Sequence, residues 1–219
     1  MNRRNIRNED DRLNAARLAI GNALNTPYIA QALAQFGYDS VKLKQGESLM
    51  QTAEKQFANR KKEYGEQYAA TDALQASYDQ AQALYMKHVK LARVALKEKT
   101  HLWEPLQLQG ERKKSLSGWL AQAGVFYGNA LTLEEIKGQL ATLNIDEAAL
   151  TQGKAQVDQV AEALAVQKKE IGKAQAATEA KDRAMDAMDG WMSDFRAVVR
   201  IALEDEPQYL EALGILAPS

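Results

Sequence analysis

Residues 50–95 read MQTAEKQFANRKKEYGEQYAATDALQASYDQAQALYMKHVKLARVA, with no proline among them. A seven-residue pattern runs through Met50, Ala53, Phe57, Arg60, Tyr64, Gln67, Thr71, Leu74, Tyr78, Ala81, Tyr85, His88, Ala92 and Ala95. Alternating steps of three and four residues keep returning to one face of a helix, so the stripe predicts a single long, coiled-coil-like helix. At about 1.5 Å per residue, some 50 residues make a rod of about 75 Å, which predicts an elongated molecule.

The same pattern returns 107 residues later, through Val157, Val160, Leu164, Gln167, Ile171, Ala174, Thr178, Lys181, Met185, Met188, Met192, Phe195, Val199 and Ala202. Gly21-Asn22-Ala23-Leu24 recurs as Gly128-Asn129-Ala130-Leu131 at the same offset, and Ala69-Ala70-Thr71 as Ala176-Ala177-Thr178. An ungapped slide by 107 pairs Leu13–Leu108 with Leu120–Ile215 and gives 28 identities in 96 positions. Helical composition multiplies chance Ala and Leu matches, but it does not place Gly46 on Gly153, Gly65 on Gly172 and Arg93 on Arg200. The chain therefore reads as a tandem duplication of two helical repeats, 1–108 and 109–219, packed together as one structural unit.

Proline occurs only at 27, 105, 207 and 218, which leaves room for a long helix in each repeat. Ahead of it the pattern places two short helices. They run roughly from Asp11 to Leu24 and from Pro27 to near Phe36-Gly37 in the first repeat, and from Ser117 to Ala130 and Thr132 to Leu143 in the second. Thr132 and Glu135 have capping-box spacing, while Asp39 and Asp146 stand where each could cap the long helix. The expected fold is all-α: an elongated bundle of two homologous repeats related by an approximate two-fold axis.

Both seams turn polar in the middle, at Arg60 and Thr71 in one and Thr178 and Lys181 in the other, and this stretch is a candidate binding region. Small residues lie beside it at four-residue spacing: Gly65, Ala69 and Ala73, then Gly172, Ala176 and Ala180. A helical glycine costs roughly 0.5–1 kcal/mol relative to alanine, and a ridge of small side chains lets helices approach closely. The long helices are thus expected to cross antiparallel near Gly65 and Gly172; a kink at each glycine is the alternative.

The composition narrows the chemistry. The chain has 219 residues, 28 basic and 29 acidic, a net charge of −1 and no cysteine. Thiolate catalysis, thiolate metal sites and disulfides are removed, and the near-zero charge argues against nucleic-acid binding. The repeats differ in sign: 16 basic against 12 acidic residues give +4 in the first, and 12 against 17 give −5 in the second. No uncharged apolar run approaches the roughly 18 residues of a spanning helix, and no apolar segment follows Arg3, Arg4 and Arg7 as in a secretory signal. A cytoplasmic protein without membrane association is expected.

Two histidines limit acid–base and metal schemes. His88 lies on the seam opposite Phe195 in the repeat alignment and reads as a packed ring. Glu98 and His101 have the Glu-x-x-His spacing of di-iron bundles, but Asp205 and Gln208 stand in the other copy, so no metal is expected. Neither phosphate-loop nor dinucleotide fingerprint occurs, so no cofactor is expected. Arg112-Lys113-Lys114 is a short basic patch, Glu204-Asp205-Glu206 an acidic one, and Trp103, Trp119 and Phe126-Tyr127 flank the junction of the repeats.

At Gly21-Asn22-Ala23-Leu24, Gly65 to Thr71 and Arg93 to Leu96, with their copies, the chain resembles an uncharacterised family of bacterial all-helical proteins with no assigned activity. That resemblance implies a helical fold and carries over no catalytic or binding residue. The expected function is a non-enzymatic interaction or scaffolding module that offers a long helical surface to an unidentified protein partner or a second copy of itself. A membrane-active protein of the pore-forming-toxin type, or a bundle binding a small molecule or metal in the polar seam, are the alternatives.

Overall fold

The computed structural model describes residues 8–215. Among these residues the chain is all-helical, with seven α-helices and no strand: α1 Glu9–Asn25, α2 Pro27–Ala34, α3 Ser40–Ala95, α4 Leu116–Thr132, α5 Glu134–Ala141, α6 Glu147–Ala202 and α7 Pro207–Ala212. The α3 and α6 helices are each 56 residues long and continue unbroken through Gly65 and Gly172.

The ends of the helices follow from local chemistry. Asn8 Oδ1 accepts from Asp11 N–H at the start of α1, and Ser115 Oγ accepts from Gly118 N–H at the start of α4, 107 residues on. Asp39 accepts from the Val41 and Lys42 N–H groups, and Asp146 from that of Ala149, so both aspartates cap the long helices as expected. After α2, Gly37 has φ +79° and Tyr38 N–H reaches back to Leu33 O; after α5, Asn144 has φ +60° and Ile145 N–H reaches Leu140 O. These are Schellman endings, which a left-handed residue makes possible. Thr132 departs from its expected role. It is the last residue of α4 and its hydroxyl donates back to Gly128 O, while Leu133 is the N-cap of α5 and makes no side-chain cap.

The residues divide into two compact units. The first takes the described residues up to Tyr64 together with those from Lys173 onward; the second is the continuous stretch Gly65–Gly172. These boundaries differ from those of the sequence repeats. Each unit combines parts of both long helices with two short ones, α1 and α2 in the first and α4 and α5 in the second, and α7 joins the first unit as well.

The core of the first unit joins Leu13, Ile20, Ile29, Leu33 and Leu43 to Met185, Met192, Phe195, Val199 and Leu210. That of the second joins Tyr85, Val89 and Leu96 to Trp119, Phe126, Tyr127, Ile136 and Val160. The seam is visible in the burial. Of the fourteen α3 positions, Thr71 is the one exposed, and all fourteen of α6 are buried or half-buried.

Glycine allows close packing at two places. A Cβ on Gly46 would overlap the indole of Trp191, and one on Gly153 would overlap the ring of Tyr127. Both glycines sit at the same position of the repeat alignment, yet they admit rings from different helices. Along the expected crossing ridge, Gly65, Ala69, Ala73, Gly172 and Ala176 are exposed and Ala180 is half-buried. A Cβ on Gly65 or Gly172 would meet nothing within 4 Å, so no approach that only glycine permits occurs at either.

Candidate functional site

The polar middle of the seam resolves into internal contacts. In the first unit Lys181 is buried, and its ammonium is paired with Glu9, in the first turn of α1, and with Asp182 at 2.6 Å. Burial pushes its pKa down, but hydrogen bonds and charge from Asp182 and Glu9 outweigh this and leave it raised. Arg60 lies 3.7 Å from the same Glu9 carboxylate and stacks over the Tyr64 ring at 5.1 Å. The Thr178 hydroxyl lies 3.5 Å from that of Tyr64, which lowers the Tyr64 pKa. In the second unit Thr71 Oγ1 donates to Gln67 O and lies 3.3 Å from the Gln167 amide. Arg60, Thr178 and Lys181 therefore come together around Tyr64 and the start of α1, while Thr71 belongs to the other unit.

At the alignment positions of Glu9 and Lys181, the second unit has Leu116 and Leu74. Leu74 is buried there, and Leu116 packs against the same core. These two positions thus hold an ion pair in one unit and two leucines in the other.

His88 is buried in the second unit, with Nδ1 3.1 Å from the Tyr127 hydroxyl. Burial pushes its pKa below the ordinary value, with the Lys87 charge adding to the effect. Burial also raises the Tyr127 phenol. Because the folded state disfavours imidazolium, His88 contributes full stability above its unfolded pKa of about 6.5, and that contribution is lost as pH falls through the lowered folded value. His88→Phe, which installs the residue found at position 195, is expected to flatten the fall in melting temperature between about pH 7 and pH 5. An unchanged slope would show that other groups set it. Glu98 and His101 are both exposed.

The segment after α3 is held by two arginines. Arg93 donates through Nε and Nη2 to Leu108 O at 3.1 and 2.6 Å. Arg112 donates to the carbonyls of Gln107, Gln109 and Gly110 and to the Tyr85 hydroxyl at 3.1 Å. Lys113 N–H donates to the buried Gln122 amide at 3.1 Å. These bonds set the segment beside α3 and leave an open groove of about 450 Å³, lined by Tyr78 and Gln82 on one side and Glu111, Arg112, Lys113 and Lys114 on the other. It adjoins a smaller one of about 150 Å³ with Leu74, Gln75 and Leu116 in its walls. Lys113 and Lys114 are exposed and make no ion pair among the described residues. The basic run was legible in the sequence. Its partners on the groove, Tyr78 and Gln82, were not, because their separation from it exceeds any local pattern.

Compared with known protein families, with curated proteins and with solved structures, the chain matches none. No helix among the described residues is long and apolar enough to cross a membrane.

Proposed function

We propose that the chain is a tandem duplication acting as a non-enzymatic protein–protein interaction or scaffolding module. The duplication is supported by every helix from α1 to α3, whose bounds recur 107 residues later in α4 to α6. It is supported as well by a shared tertiary hydrogen bond: the Asn22 amide donates to Ala212 O at 2.6 Å, and the Asn129 amide to Pro105 O at 2.7 Å. Asn22 and Asn129 are equivalent, and so are Pro105 and Ala212. An asparagine retained in both copies thus performs one structural task twice.

The observation that carries the functional reading is the placement of the charges. Lys181 is neutralised by Glu9 and Asp182, His88 is engaged by Tyr127, and Arg93 is engaged by a backbone carbonyl. The groove beside Tyr78, by contrast, presents unpaired cations next to apolar side chains, the mixture of a protein-binding surface rather than of a reaction centre. A photo-crosslinking residue placed at Gln82 is expected to yield one defined protein adduct in native cells. Absence of any adduct, with a monomer by light scattering, would overturn the reading.

A further inference from the structure

Each long helix ends in one exposed stripe. Lys87, Lys90, Val94 and Lys97 follow one another at steps of three and four residues along the end of α3 and into the turn beyond it, within the second unit, and all four are exposed. The positions 107 residues later, within the first unit, are Asp194, Ala197, Ile201 and Glu204 at the end of α6, again all exposed. The two stripes keep an aliphatic side chain in the open at the same place, Val94 at 65% exposure and Ile201 at 58%, and reverse the charge on either side of it. Across residues 87–99 five basic residues stand against one acidic, while across 194–206 four acidic stand against two basic. The acidic stripe also carries a local penalty. Lys97 complements the partial negative charge at the C-terminus of α3, whereas Glu204 sets a carboxylate against the same dipole just past the end of α6. Lys97 has Glu98 at 3.9 Å with both side chains exposed, a pair of little strength, and Glu204 has no ion pair among the described residues. A cation brought from outside the chain would relieve that repulsion.

We propose that the α3 stripe of one copy of the chain docks on the α6 stripe of a second copy. The inference rests on the interaction-module reading and names its partner. With the two helices parallel and Val94 against Ile201, Lys87 meets Asp194, Lys97 meets Glu204, and the aliphatic stem of Lys90 lies over the small Ala197. Both pairs can form at once because the charges stand the same distance apart on each helix, about 15 Å by the helical rise. An antiparallel register would instead set Lys97 against Val198. Like does not pair with like: a symmetric contact in the same register would face Lys97 with Lys97, or Glu204 with Glu204, so the reversal of charge selects the unlike stripe. Four positions a side cover far less than the roughly 800 Å² per partner of a stable complex, which makes the contact weak and sensitive to salt.

Sedimentation velocity of the full chain, from about 10 to about 500 μM at low salt, reads such a contact. The expected result is a mass that rises with concentration and returns toward that of a monomer as salt is added. Lys87→Glu with Lys97→Glu, and separately Asp194→Lys with Glu204→Lys, should each weaken association about tenfold; thermal melts verify that both variants fold. Mixing the two variants should restore association, because the first retains an acidic α6 stripe and the second a basic α3 stripe. A wild-type chain that stays monomeric throughout, association that neither variant weakens, or a mixture no stronger than its components would each overturn the proposal. If the chain stayed monomeric while a crosslinker at Gln82 captured a different protein, the docking of a second copy would fail and the interaction module would stand.

Discussion

Gly153→Ala is expected to destabilise the protein by about 3 kcal/mol, read as a shifted denaturant midpoint at unchanged slope. The added methyl group would occupy space now held by the Tyr127 ring. That ring cannot withdraw. It is fully buried and packed against Tyr85, His88 and Phe126 at centroid distances of 6.2, 5.8 and 5.1 Å. The other unit indicates the remedy, for Ile20 stands at the position equivalent to Tyr127. Tyr127→Ile should therefore absorb most of the damage when combined with Gly153→Ala, giving a coupling of roughly 2 kcal/mol in a double-mutant cycle. Gly46→Ala should behave similarly, with Trp191→Leu as its compensating change, since Leu84 is the equivalent of Trp191. Strict additivity in both cycles would show that ring and glycine are not in conflict.

Glu9→Leu is expected to cost about 2 kcal/mol, more than Lys181→Leu alone. The first change leaves a buried ammonium with only its neighbour Asp182, whereas the second leaves a carboxylate that is one-third exposed and still near Arg60. Making both changes should recover most of the loss, because the result copies the Leu116 and Leu74 pair of the second unit. A buried ion pair commonly breaks even against a well-packed apolar pair, while half a pair does not. Chemical denaturation of the three variants provides the measurement. A double variant as unstable as the sum of the singles would refute the equivalence.

The long seam was legible because every third or fourth residue reports on one face, and burial follows it closely from Met50 to Ala95 and from Val157 to Ala202. The middle of the seam was legible as polar but not as satisfied. Glu9 lies 172 residues from Lys181, and nothing local announces their pairing. One signal was nevertheless present: sliding the sequence by 107 sets Leu74 against Lys181 and Leu116 against Glu9, so the two positions differ together. The small-residue ridge shows how little spacing alone decides. Four-residue spacing places Gly65, Ala69 and Ala73 on a common face, but spacing alone does not say whether that face meets another helix or water, and here it is exposed. Gly46 and Gly153 stood out only as repeat matches, because the rings that need their space come from distant helices.

The division of the chain between its units also orders events on the ribosome. The second unit is continuous, so it has all of its residues once Gly172 has emerged. The first must wait for Met185 to Ile215 before Leu13, Ile20 and Phe57 meet their partners. At roughly 5–20 residues per second, the delay after Tyr64 is on the order of ten seconds or more. Throughout it, α1, α2 and the start of α3 present an uncovered apolar stripe to chaperones and to neighbouring nascent chains.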